Sequence, residues 1–276
     1  MGLKPTAAAL DRAELIGTTD MTAPVIQRFA GGSLAYFTRR SPDKETENED
    51  AVGFIPWGDD GGVLIVCDGL GGLPAGDQAS ILAIRCLAEH IAATPPGDSG
   101  LREAILDGIE KANQAVCALG VGAATTLALI EVQGRMIRPY HVGDSMILVT
   151  GQRGRIKQQT ISHSPVGYAV ESGFLDAEAA MHHEERHLIS NMLGSPEMRI
   201  EIGAPFNLAR HDTVLLASDG LFDNLHVDEI VERMRCGPMN IGAKALYEDS
   251  RKRMDQDQKD TPSKPDDLSF ILYRPL

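Results

Sequence analysis

Two helical segments stand back to back in this chain, and strand-like runs flank them on both sides. Residues 77–93 repeat apolar side chains at Ala79, Leu82, Ala83, Cys86, Leu87 and Ile91. That three-or-four spacing lines one helical face. Asp77 is the expected cap of its start. Thr94–Gly100 (TPPGDSG) breaks the pattern, and a second helix is expected from about Leu101 to Leu119. Before them come candidate strands at Ser33–Phe37, Ala51–Ile55 and Val63–Cys67. After them come Thr125–Val132, Met136–Val142, Met146–Thr150 and Thr213–Ala217. Helices return at Asp228–Arg235 and Ile241–Met254, and Leu268–Tyr273 is a final strand. Adjacent helices between blocks of strands do not build alternating βαβ units. The order predicts an α+β fold with layered antiparallel sheets rather than a doubly wound parallel one.

Composition narrows the functional classes. At 276 residues and 43% hydrophobic, the chain suits one compact domain with a small lobe, and it is too apolar for global disorder. Its apolar runs are far shorter than the roughly 20 residues of a membrane span. The formal net charge of −13 and 5% aromatic content argue against nucleic-acid binding. Cys67, Cys86, Cys117 and Cys236 form no CxxC pair. They read as buried free thiols of a reducing, cytoplasmic compartment.

The carboxylates are where the chemistry shows. Glu49 and Asp50 precede one apolar strand, and Asp68 follows another. Asp144 sits in a Gly-Asp-Ser turn between two strands. Asp219 follows the strand at 213–217, and Asp266–Asp267 precede the last strand. One such residue is an ordinary turn former. Several strand ends brought together would repel severely unless a cation neutralised them. Oxygen ligands with no His or Cys among them select Mg²⁺ or Mn²⁺. Two such ions suit hydrolysis of a phosphate ester. Gly69, Gly71 and Gly72 lie in LIVCDGLGGLPAG but lack the dinucleotide-binding spacing.

At these residues the chain resembles the metal-dependent protein serine/threonine phosphatases of type 2C, the PPM family, in its bacterial, standalone form. The matching pieces run in order: NEDA at 48–51, VCDGLGG at 66–72, GDQAS at 76–80, GAATTLALI at 122–130, HVGDS at 141–145, LLASDGLFD at 215–223 and PDDLSFIL at 265–272. The resemblance implies an αββα sandwich over residues 33–276, with a flap at about 151–205 and an N-terminal extension at 1–32. It implies Asp68, Asp219 and Asp266 as catalytic residues that hold the metals. Asp68 would bridge two ions and the Gly69 carbonyl would face one of them. Glu49 and Asp50 would complete the site through waters or hydrogen bonds. Asp144 with Asp219 would hold a third, looser ion. The implied reaction is hydrolysis of phosphoserine or phosphothreonine on signalling proteins by a water bridging two Mg²⁺ or Mn²⁺ ions, opposing a cognate kinase.

The chain departs from that pattern in places. The position of the family's phosphate-clamping Arg holds Glu45, with Lys44, Arg39 and Arg40 as the nearby cations. Leu70 stands where some members carry a His. The alternative reading is a catalytically weak or dead domain that binds phosphoproteins. His183–Glu184–Glu185–Arg186–His187 spells H-E-x-x-H, which binds zinc only with both His on one helical face. Its charged middle favours a solvated flap segment. His141 is expected in the core. Residues 1–32 and 236–264 carry no motif that assigns them a role.

Overall fold

A computed structural model describes residues 13–70, 75–94, 100–256 and 261–276. The expected turn at Gly71 and Gly72, and most of the break at 94–100, lie outside the described residues. The chain begins with β1 (Glu14–Gly17), β2 (Val25–Phe29), β3 (Gly32–Arg39), β4 (Asp50–Trp57) and β5 (Gly61–Asp68). The long helices α1 (Gly76–Ala93) and α2 (Gly100–Cys117) follow. Next are β6 (Leu127–Gln133), β7 (Met136–Val142), β8 (Met146–Thr150) and β9 (Ile156–Gln159). The short helices α3 (Pro165–Glu171) and α4 (Ala177–Met181) precede β10 (Glu201–Ile202), β11 (Phe206–Asn207) and β12 (Thr213–Ala217). Then come α5 (Asp219–Phe222), α6 (Val227–Met234), α7 (Met239–Asp255) and β13 (Leu268–Pro275).

These strands form two sheets. One runs β1-β4-β5-β6-β7-β10, with β11 also on β7; the other runs β2-β3-β13-β12-β8-β9. Every paired register is antiparallel. Residues 14–29, inside the expected N-terminal extension, supply an edge strand to each sheet.

The continuous apolar run of β5 has a simple cause. Val63, Ile65 and Cys67 pack with Ile84, Leu87 and Ile105 of α1 and α2, while Leu64 and Val66 pack toward the second sheet with Val214, Leu216 and Ile271. Alternate side chains leave a strand on opposite faces, so a strand covered on both sides is apolar throughout. In β12, Val214 and Leu216 join the inter-sheet core, and Leu215 and Ala217 meet Ile230, Leu246 and other residues of the second helix layer. The layers are therefore helix, sheet, sheet, helix, as expected.

Two local expectations change. Asp77 does not cap α1: Ala75, at φ 61°, takes the cap position with no side-chain bond, and Asp77 lies in the first turn. A carboxylate there still favours the positive end of the helix. Of the four free cysteines only Cys67 is buried; Cys86 and Cys117 are half-buried and Cys236 is exposed.

Candidate metal centre

The two sheets bring the carboxylate-bearing ends to one place. Asp50 opens β4 and lies in register opposite Asp68 at the end of β5. Asp144 sits in the turn from β7 in one sheet to β8 in the other. Asp219 starts α5 directly after β12, and Asp266 and Asp267 precede β13. The ends border a cavity of about 300 Å³ that is lined by Glu49, Asp68, Gly69, Asp144, Asp219, Asp266 and Asp267, among others. Of the sequence-derived site residues, only Asp50 stands behind the wall rather than on it, 1% exposed.

Backbone geometry fixes these positions. Thr126 N–H and Thr125 Oγ1 both donate to the Asp68 carbonyl at 2.8 Å, and Asp68 N–H donates to Thr126 Oγ1. Thr126 Oγ1 also shares a 2.6 Å hydrogen bond with Ser145, next to Asp144. The threonines of GAATT and the serine of HVGDS thus hold two carboxylates in fixed relation. Gly69 is required by close approach: a Cβ there would lie 2.3 Å from the Gly76 carbonyl oxygen. At Gly220 it would lie 1.9 Å from the Asp267 carbonyl oxygen.

The electrostatics call for cations. Burial, then Asp50, Asp219 and their neighbours, raise the Asp68 carboxyl well above its ordinary range. Asp50 is raised by burial, then by Asp267. Burial, Asp219 and Asp223 push Asp144 up to about 8, and burial with Asp219 pushes Asp266 up to about 7. Asp50 Oδ1 and Asp144 Oδ1 are buried without a hydrogen-bond partner. Orphaned carboxylate oxygens at this density are unusual without a ligand. The donors are hard oxygens, and they fit Mg²⁺ or Mn²⁺.

Asp267 and Lys44, noted in the sequence as a strand-end carboxylate and a nearby cation, take definite places here, whereas Asp223 and Lys264 were not singled out. Asp267, 3% exposed, accepts from Ser41 N–H (2.7 Å), Glu49 N–H (2.7 Å) and Lys44 Nζ (2.6 Å), and so orders the approach to Glu49. Lys44 also reaches Glu49 Oε2 at 2.7 Å; burial pulls its pKa down, but Asp267 and Glu49 outweigh this and push it up to about 12. Arg39 donates to Tyr247 and Arg40 pairs with Asp20, so of these three cations only Lys44 lines the cavity. Asp223 and Lys264 form a further cluster with Asp219 and Asp266.

The H-E-x-x-H letters do not form a zinc motif, because α4 ends at Met181 and residues 183–187 are not helical. His187 instead lines the acidic cavity. His141 is buried as expected and its ring stacks on His163 with centroids 4.2 Å apart. Glu201 adjoins the pair. Stacked rings send their in-plane lone pairs side by side, which is poor geometry for one shared ion. His163 plays a structural part instead. Its Nδ1 accepts from Gly143 N–H at 3.1 Å, tying the flap to the Asp144 turn.

A wider groove of about 930 Å³ adjoins the cavity, and Asp144 and Asp219 border both. Its apolar lining includes Met146, Ile161, Val166 and Phe222, and Glu171, Glu178 and Asp228 stand on its exposed rim.

Two layers of helix about two sheets bring acidic strand ends to one cavity whose oxygen donors suit divalent cations. The chain belongs to the protein phosphatase 2C family, whose model matches residues 40–248. It is 30% identical over 201 residues to the serine/threonine phosphatase Stp of Listeria monocytogenes, a match covering 68% of this chain and 77% of that one. It is 32% identical over 194 residues to PstP of Mycobacterium tuberculosis, covering 67% of this chain but only 37% of that longer protein. The crystal structure of the M. tuberculosis phosphatase PstP/Ppp superposes with a TM-score of 0.71 at 26% identity, covering 91% of this chain and 99% of that one. Another PstP catalytic-domain structure, in complex with two manganese ions, gives 0.70 at 26% identity and covers 87% and 96%. Among the described residues, no helix is long and apolar enough to cross a membrane.

Proposed function

We propose that this chain is a protein serine/threonine phosphatase that hydrolyses phosphoserine and phosphothreonine esters with two Mg²⁺ or Mn²⁺ ions. One observation carries the reading: Asp68, Asp144, Asp219 and Asp266 converge on one cavity with too few cations to neutralise them. Asp68, Asp219 and Asp266 would hold the ions with the Gly69 carbonyl, and Glu49 and Asp50 would support them. When bound, the ions would supply charge for the phosphoryl oxygens and acidity for an attacking water. The protein's own part is positioning. The threonine pair fixes Asp68, Ser218 donates to Asp50 Oδ2 at 2.8 Å, and Asp267 orders the Glu49 loop. Lys44 is the cation placed to meet the substrate phosphate, as a point charge rather than a bidentate fork.

The groove beside the cavity supports a polypeptide substrate, since it extends from the same two aspartates. The relatives' names support a phosphoprotein substrate, and a kinase that makes these marks is the fitting counterpart. Free cysteines suit a reducing, cytoplasmic location.

The test is phosphate release from a phosphothreonine peptide with Mn²⁺, then with EDTA, then with Mn²⁺ restored. Release that follows the metal supports the phosphatase. Peptide binding without release at any metal concentration favours the binding-module reading.

A further inference from the structure

The turn between α3 and α4 holds an aromatic side chain out in solvent. Ser172 is the C-cap of α3, and Gly173 follows at φ 75°. Gly173 N–H donates to Val170 O at 3.0 Å, and Phe174 N–H donates to Ala169 O at 2.9 Å. This pair of bonds is the Schellman closure of a helix, in which the residue at the place of Phe174 frequently packs back on the last turn. Phe174 does not. It is 90% exposed, more than any other large hydrophobic side chain among the described residues.

A single exposed apolar side chain is ordinary; the charges around this one give it a direction. Residues 165–187 carry Glu171, Asp176, Glu178, Glu184 and Glu185 against one Lys or Arg, Arg186. Arg186 donates to the carbonyls of Met181 and Ser263. Glu171, Asp176 and Glu178 flank Phe174 in the chain, and all three are exposed. Asp176 Oδ1 accepts from Ala179 N–H at 2.8 Å to cap α4, which keeps that residue beside the turn. Among the described residues, none of these three carboxylates takes part in an ion pair.

The turn is continuous with the groove. Glu171 and Glu178 border it, and it meets the acidic cavity at Asp144 and Asp219. A polypeptide that lies in the groove and crosses this rim meets the α3–α4 turn next. One side chain suits both a bare ring and free carboxylates. A guanidinium stacks its face on an aromatic ring and offers its edge to carboxylates, whereas an ammonium is a compact, strongly hydrated point charge.

We propose that Phe174, with Glu171, Asp176 and Glu178, docks an arginine of the phosphoprotein substrate, beyond the residues that the groove itself holds. The proposal rests on the phosphatase reading above. It adds to a general preference for basic substrates a preference for Arg over Lys at a fixed distance from the phosphorylated residue.

The test is phosphate release by the Mn²⁺-loaded full chain from phosphothreonine peptides in which one Arg is stepped outward from the phosphorylated residue in either direction, each beside its Lys twin. Rates are taken relative to each protein's own turnover of p-nitrophenyl phosphate. In the wild type one stretch of positions favours Arg by about two- to fivefold in kcat/KM, the range of an exposed cation–π contact. Phe174→Leu, apolar but without an aromatic face, loses the preference, and Phe174→Tyr keeps it. Equal cleavage of Arg and Lys twins at every position, or a preference that survives Phe174→Leu, would overturn the inference and leave the phosphatase reading standing. No release from any peptide or from p-nitrophenyl phosphate by folded, Mn²⁺-loaded protein would overturn both.

Discussion

Asp50 and Asp68 face each other in register across neighbouring strands, and one oxygen of Asp50 has no hydrogen-bond partner. Like charges directly opposite in a sheet destabilise it, so this pair costs stability when no metal is present. Asp68→Asn removes one of the charges at nearly unchanged shape. The expected outcome is a metal-free protein that melts a few degrees higher at pH 8 and releases no phosphate with Mn²⁺. A lower melting temperature with turnover intact would contradict the assignment of Asp68.

The same repulsion sets a pH dependence. Asp266 and Asp144 are raised from an ordinary 3.8 to about 7 and about 8 in the folded chain. A carboxyl with a raised folded pKa holds its proton in the native state after the unfolded chain has lost it. The unfolded state then binds fewer protons, and stability falls as pH rises. The metal-free protein should lose melting temperature from about pH 4 to about pH 8, and the stabilisation by saturating Mn²⁺ should widen across that window. Thermal melts with EDTA and with Mn²⁺ at stepped pH check this; a Mn²⁺ gain that shrinks toward pH 8 contradicts it.

The groove rim predicts a substrate preference. Glu171, Glu178 and Asp228 are exposed on the rim of a partly apolar groove that meets the acidic cavity at Asp144 and Asp219. Phosphopeptides with Lys or Arg near the phosphothreonine should be cleaved faster than acidic ones. Glu171→Lys with Glu178→Lys should reduce that preference by about two- to fivefold per charge, the range of exposed ion pairs. Turnover of p-nitrophenyl phosphate, which has no flanking chain, should not change. A charge reversal on α2, Glu103→Lys, controls for the overall negative field. An equal effect from that distant change would show that the groove does not set the preference.

Leu64 tests the layering. It points from β5 into the core between the sheets and is fully buried. Leu64→Ala should cost about 2–5 kcal/mol in urea unfolding, through lost burial and the cavity left behind. A cost below about 1 kcal/mol would be inconsistent with a close-packed inter-sheet core.

Some parts of this architecture could be read from the chain and others could not. The strands β5, β7, β8 and β12 were legible because burial on both faces, or tight turns at Gly134 and Gly143, leaves a strong pattern. β1 and β2 were not, because edge strands with half-exposed faces show mixed polarity. Asp68, Asp144, Asp219 and Asp266 were legible because each ends or precedes an apolar run. Asp223 and Lys264 were missed. Their meeting depends on the fold returning residue 264 to residue 219, and a lone Lys before Pro-Asp-Asp has no periodicity to mark it. The H-E-x-x-H letters show the reverse case, a spacing that means something only on a helix the chain does not form there.

Metal-dependent hydrolysis is checked most simply by phosphate release from a phosphothreonine peptide as Mn²⁺ is added in known equivalents to metal-free protein. The expected course is no release at zero metal, a rise that saturates after the second equivalent, and a return to zero with EDTA. Release that is undiminished in EDTA, or its absence in folded protein that has taken up Mn²⁺, would contradict a two-metal phosphatase.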